Sequence, residues 1–195
     1  MKNIVFDLGG VLFARDKSKC TPELIEFFSF LRAPRMPLFW EEYDRGTSTL
    51  GEVTVTIGEM TGRSVEVCAA MLQQAIDLQE PVKSTERLVG DLKAAGYKLY
   101  VLSNMSREFI DFLRRFPVYG LFDGEVVSCE EHTVKPEPRI YEILLERYGL
   151  TPSETLFIDD REANIEAAAA LGIHGFVFNH RDPEAACNAL RAQLL

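Results

Sequence analysis

The sequence predicts an α/β fold, a doubly wound and mostly parallel Rossmann-like sheet, with a small helical cap inserted after the first strand. Three observations predict it. Short apolar runs without alternation recur along the chain, as strands buried on both faces require. Helical periods lie between those runs. One stretch, residues 14–82, carries helical stripes but no convincing strand.

The elements follow in order. Ile4-Val5-Phe6 reads as a buried strand that ends at Asp7 and opens into a loop at Gly9-Gly10. In the insert, Leu24, Phe27, Phe28 and Leu31 share a helical stripe, with Thr21 as N-cap and Pro22 at the first helical position. Val67, Met71, Ala75 and Leu78 form another. The segment 47–61 is ambiguous, because Val53-Thr54-Val55-Thr56-Ile57 favours strand while its setting favours helix. The aromatic stretch from Phe27 to Trp40 reads as cap core; a lesser reading turns Trp40 and Tyr43 towards a substrate.

Beyond the insert, Leu88, Leu92 and Ala95 line a helix over 82–95 that Gly96 closes. Leu99–Leu102 is a strand ending at Ser103-Asn104. Phe109, Phe112, Leu113 and Phe116 mark a helix that Pro117 stops. Glu125–Ser128 is a strand, and Ile140, Ile143, Leu144 and Tyr148 line a helix before Gly149. Leu156–Ile158 is a strand ending at Asp159-Asp160. Ile165, Ala168, Ala169 and Leu171 precede Gly172, and Gly175–Phe178 is the last strand. The expected division is a core of 1–13 and 83–195 with a helical cap of 14–82.

At 195 residues, with 47% hydrophobic and 26% charged, the chain fits one globular domain plus an insertion. No apolar run is long enough for a bilayer, and Met1-Lys2-Asn3 leads into a run too short for an export signal, so a cytoplasmic protein is expected. A net charge of −9 disfavours nucleic acid and anionic membrane as partners. It leaves room for an anionic small substrate, because a bound metal inverts the local field. Cys20, Cys68, Cys129 and Cys187 are scattered and read as free thiols. His132, His174 and His180 have no metal-ligand spacing and read as structural or surface residues. The chain is expected to act as a monomer or homodimer.

Asp7, Ser103-Asn104 and Asp159-Asp160 all fall at carboxyl ends of predicted strands, the edge where open α/β sheets bind ligands. One polar residue after one strand is usually a turn or a cap. Acids at two of three such ends would repel one another without a cation, and Mg²⁺ suits hard oxygen donors beside a phosphate.

These segments resemble the motifs of the haloacid dehalogenase-like superfamily. Phe6-Asp7-Leu8-Gly9-Gly10-Val11-Leu12 is similar to the first and Val101-Leu102-Ser103-Asn104 to the second. Lys135-Pro136-Glu137-Pro138-Arg139-Ile140-Tyr141 resembles the third, and Phe157-Ile158-Asp159-Asp160 with the following Arg161–Ile165 the fourth. All four stand in family order, and the insert lies where members with a cap of the first type carry theirs. The resemblance implies a Mg²⁺-dependent phosphatase acting on a small phosphorylated metabolite, such as a sugar phosphate, through an aspartyl phosphate. It implies Asp7 as nucleophile and Ser103, Asn104 and Lys135 as phosphate-binding groups, with Ser103 and Lys135 also catalytic. It implies a metal held by Asp7, the Gly9 carbonyl and Asp160, with Asp159 acting through water. Asp159 also reads as a helix N-cap and Asn104 as a plain cap; Asn164 reads equally as an orienting group or an ordinary helix residue.

One position departs from the pattern. Many phosphatases of the superfamily carry a second aspartate where this chain has Gly9, and that acid protonates the leaving oxygen. Asp-Leu-Gly resembles a branch containing sugar-1-phosphate phosphatases. Asp16 lies nearby in sequence as a candidate substitute for that acid, but reads rather as a solvated residue at the cap hinge. Two other readings compete. A 2-haloacid dehalogenase also uses an aspartate but lacks the acidic pair of the fourth motif. A degenerate, non-catalytic binding module would explain Gly9 but not the retention of Asp7, Ser103, Lys135 and Asp160.

Overall fold

The structure, a computed structural model, describes residues 1–16, 18–32 and 36–195. The strands are β1 (Asn3–Phe6), β2 (Phe13–Arg15), β3 (Gln79–Pro81), β4 (Lys98–Ser103), β5 (Gly124–Val127), β6 (Thr155–Asp159) and β7 (His174–Val177). The helices are α1 (Pro22–Phe27), α2 (Leu38–Arg45), α3 (Leu50–Thr61), α4 (Val65–Asp77), α5 (Lys83–Ala94), α6 (Arg107–Leu113), α7 (Ser128–Glu131), α8 (Pro138–Tyr148), α9 (Glu162–Ala170) and α10 (Pro183–Leu194).

The main sheet has the order β5-β4-β1-β6-β7, and all its pairings are parallel. Its strands are apolar on both faces because helices cover both. The pleat divides the side chains accordingly. Ile4, Phe6, Leu99, Val101, Leu156 and Ile158 enter one core, with Leu88 and Leu92 of α5 and Leu190 of α10. Val5, Tyr100, Leu102, Val126 and Phe157 enter the other, with Ile140 and Leu144 of α8 and Ala168 of α9. Phe6 stands level with Val101 on one side and Ile158 on the other. The carboxyl ends of β1, β4 and β6 therefore meet at one edge.

The insert differs from its sequence reading at its ends. Phe13–Arg15 and Gln79–Pro81 pair as a short antiparallel ribbon where residues 14–82 were expected to hold no strand. Between them the helices α1 to α4 close around Leu24, Phe27, Trp40, Tyr43, Ile57, Cys68 and Leu72, with Phe109 of α6 packed against them. Trp40 lies edge-on to Phe28 and Tyr43 inside this cluster, so it packs rather than faces a ligand. The ambiguous segment is helix. Thr49 and Glu52 form a reciprocal capping box at its start, and Gly62 at φ +69° ends it, so the caps override the β-branched run.

The last turn of α2 anchors the insert to the core. Arg45 forks onto Glu137, with Nη1 and Nη2 at 2.9 and 2.6 Å from its two oxygens. Arg45, with help from Thr133 and Val134, holds the Glu137 carboxyl down to about 2. A depressed carboxyl stabilises the fold above its unfolded value near 4.3 and loses that contribution as pH falls towards 2. Glu137 is partly exposed, so the pair is worth less than about 1 kcal/mol. Glu137→Gln should thus lower the melting temperature slightly at pH 7 and flatten its decline below pH 4.3. Equal acid slopes for both proteins in thermal melts would refute the anchor.

Candidate active site

Asp7 follows β1, its backbone N–H bonded to Ile158 O at 2.9 Å and its side chain buried. Asp7 Oδ1 accepts from Leu8 N at 2.7 Å and from the Ser103 hydroxyl at 2.8 Å. Lys135 Nζ lies 2.9 Å from that same oxygen and 2.6 Å from Asp159 Oδ2, and it donates to Leu102 O at 3.0 Å. Its ammonium also stands 5.3 Å from the Phe157 ring centre. A lysine 4% exposed, wedged between two carboxylates and a carbonyl, is no solvated surface residue.

Asn104 grips the loop carrying that lysine. Its Nδ2 donates to Lys135 O at 2.9 Å, and its Oδ1 accepts from Lys135 N at 2.7 Å. Asn164 likewise steers Asp159, with Nδ2 at 3.0 Å from both carboxylate oxygens, while Arg161 N donates to Oδ1 at 2.8 Å. Asp159 is therefore part of the ionic cluster and braces the turn before α9, whose N-cap is Arg161 rather than Asp159. Burial raises the Asp7 carboxyl to about 6, against Lys135 and with Asp159 and Asp160 adding to the rise. Burial would lower Lys135, but Asp159 and Asp7 outweigh it and hold the ammonium charged. Asp160 is raised by burial and by Asp159.

Oxygens of Asp7, Asp159 and Asp160 lie within 4.8 Å of one another, a donor set suited to one hard cation. Gly10 makes room for it. At φ +78°, a Cβ there would stand 2.7 Å from Asp160 Oδ2. Asp159 already serves Lys135, Asn164 and Arg161, which leaves Asp160 the freer of the pair. Gly9 adjoins Gly10 in the same loop.

Some neighbours escaped the sequence reading. His180 Nδ1 lies 3.2 Å from Asp160 Oδ2, reached from the loop after β7, a strand end at the same edge. Asp16 is engaged elsewhere. It accepts from Ser18 and pairs with Lys19 at 3.1 Å, and these contacts hold its carboxyl below the usual range.

The haloacid dehalogenase-like hydrolase model matches residues 1–172. The chain belongs to that family. It is 28% identical over 191 residues to a sesquiterpene phosphatase of Aspergillus oryzae, covering 97% of this chain and 95% of the relative. It is 27% identical to a D-ribitol-5-phosphate phosphatase of Bacteroides thetaiotaomicron, covering 90% and 91%. A family enzyme from Bacteroides thetaiotaomicron, crystallised with magnesium and inorganic phosphate, superposes with a TM-score of 0.71 at 28% identity over 92% of this chain and 95% of that one. The chain is thus a hydrolase with the α/β core of its family. No helix among the described residues is long and apolar enough to cross a membrane.

Proposed function

We infer that this hydrolase is a Mg²⁺-dependent phosphomonoesterase acting on a small phosphorylated metabolite. The observation carrying the reading is the buried junction of Asp7, Lys135 and the Asp159-Asp160 pair. A dehalogenase has no use for a second and third carboxylate beside the nucleophile; a phosphatase needs them to hold a cation. Two phosphatase relatives and a magnesium-phosphate complex support the same reading.

Asp7 attacks phosphorus, and water then hydrolyses the aspartyl phosphate, which divides one difficult displacement into two. Lys135 offsets the negative charge gathering between Asp7 and the phosphoryl oxygens. Ser103 holds Asp7 Oδ1 until substrate arrives and then turns its hydroxyl to a phosphoryl oxygen. Asn104 fixes the Lys135 backbone, and Asn164 fixes Asp159. Asp7, the Gly9 carbonyl and Asp160 would hold Mg²⁺, with Asp159 beside them, and the ion would supply charge neutralisation between nucleophile and phosphate. The residues from 14 to 82 act as a cap that closes over this edge and sets specificity.

For the substrate, a sugar phosphate is the reading from sequence, and the cavity favours a second. A space of about 780 Å³ beside Gly9-Gly10 is lined largely by apolar residues such as Phe13, Leu24, Phe28 and Val82, with Arg15, Gln79 and His180 among its polar groups. Such a lining suits an ester with an apolar body. The two relatives are named for one apolar and one polyol class. Comparing kcat/KM for a sesquiterpenoid alcohol monophosphate with that for sugar phosphates decides between them.

Turnover of p-nitrophenyl phosphate with Mg²⁺, and its loss in EDTA, tests the reaction. Activity indifferent to EDTA would reject it. Asp160→Ala should raise the Mg²⁺ concentration for half-maximal rate by more than the roughly 10–100-fold typical of losing an outer-shell partner. Asp159→Ala should do so less, and should chiefly lower stability, because it leaves the buried Lys135 with Asp7 as its one carboxylate partner. The reverse ranking in Mg²⁺ titrations would overturn the assignment of the pair.

A further inference from the structure

Gly9 leaves the nucleophile loop without a second acid, and the end of α2, which carries Asp44, docks beside it. A Cβ on Gly9 would point at Met105, 3.9 Å from its Cε. The N–H of Met105 donates to Ser128 Oγ at 2.9 Å, and that hydroxyl donates to the backbone carbonyl of Asp44. The end of α2 therefore lies one serine away from the residue that Gly9 faces. It is held there firmly. Arg45 is forked onto Glu137, the Arg45 carbonyl lies 3.2 Å from His132 Nδ1, and Gly46, at φ +74°, packs against the Cys129 backbone too closely for a side chain. The Asp44 side chain is half-buried, faces the N–H of Ser106, and is near enough to Asp7 and Lys135 to feel both charges.

We propose that Asp44, carried in from the helical insert, replaces the acid missing at Gly9 and is the general acid and base of the reaction; this rests on the phosphomonoesterase reading. In the first step the P–O bond to Asp7 forms and the ester P–O bond breaks. The Asp44 proton passes to the leaving oxygen, which departs as an alcohol. In the second step the Asp44 carboxylate takes a proton from water as the water oxygen bonds to phosphorus. The acyl phosphate bond breaks, Asp7 returns as a carboxylate, phosphate leaves, and Asp44 is protonated again. Burial raises the Asp44 carboxyl to about 7, against the Ser106 N–H, with Asp7 and Glu41 adding to burial and Lys135 opposing it. An acid so placed is present in both forms near neutral pH, as a residue that gives and then takes a proton must be.

The test is a leaving-group series from p-nitrophenyl phosphate to alkyl phosphates on wild type and Asp44→Asn, with Mg²⁺. kcat/KM reports transfer to Asp7, the step that needs the proton. Asp44→Asn should lower it about 10²–10⁴-fold for alkyl esters and only several-fold for the nitrophenyl ester, whose anion leaves unaided. Slow hydrolysis of the phosphoenzyme should also give a burst of nitrophenol. Asp44→Glu should recover part of the alkyl activity. Gly9→Asp in the Asp44→Asn background should recover more, because a side chain at Gly9 has room. Equal losses across the series, or none, would overturn the role of Asp44 while leaving the phosphatase reading intact. A wild type inert towards every ester would overturn both.

Discussion

Asp7→Asn should reduce turnover of any phosphate ester to background, a loss of about 10⁴-fold or more, as removal of other catalytic nucleophiles does. The fold should survive. Asparagine keeps the size of the side chain and an Oδ1 able to accept from Leu8 N and the Ser103 hydroxyl. Lys135 loses one anionic partner but retains Asp159 and the Leu102 carbonyl. The cost in stability should therefore be about 1.5–3 kcal/mol, the value of a hydrogen bond to a charged group. Steady-state assays beside thermal melts separate the two effects. Appreciable turnover by the pure variant, or an unfolded variant, would refute Asp7 as a nucleophile on an independently stable scaffold.

Much of this arrangement was legible in the sequence for a physical reason. Strands buried on both faces must be continuously apolar, so Ile4-Val5-Phe6 and Leu156-Phe157-Ile158 announce themselves, and the polar residues that follow them mark the edge. Lys135 was legible only through its motif, because its burial depends on β4 and β6 closing around it. The ribbon of β2 and β3 was not legible. Three residues on each side, only Phe13 of them buried, are too few to carry a period, and their pairing spans the whole insert. His180 follows a strand like the other site residues, and attention to that strand end would have found it. Asp44 has no local signal at all. Its position depends on the docking of α2 through Ser128, His132 and Glu137, contacts that only the assembled insert and core create.

Lys135→Met should be the most damaging substitution for stability. The ammonium is almost wholly buried between Asp7 and Asp159, and methionine fills much of its volume without its charge. The fold would then hold two neighbouring carboxylates with no cation between them. Breaking a buried pair in this way costs about 3–5 kcal/mol, more than the pair itself contributes, because the remaining charge stays desolvated. The loss should be partly reversible by a second change. Asp159→Asn removes the stranded charge while keeping an amide that Arg161 N and its neighbours can still contact. The double variant should therefore be more stable than Lys135→Met alone, a non-additivity expected only where residues share one interaction. Urea unfolding of wild type, both single variants and the double variant measures it at fixed pH and without added metal. Both variants that lack Lys135 should be inactive even where the double variant regains stability, which separates the electrostatic role in folding from the role in chemistry. A Lys135→Met protein as stable as wild type, or strictly additive costs, would mean that Lys135 does not hold these carboxylates together.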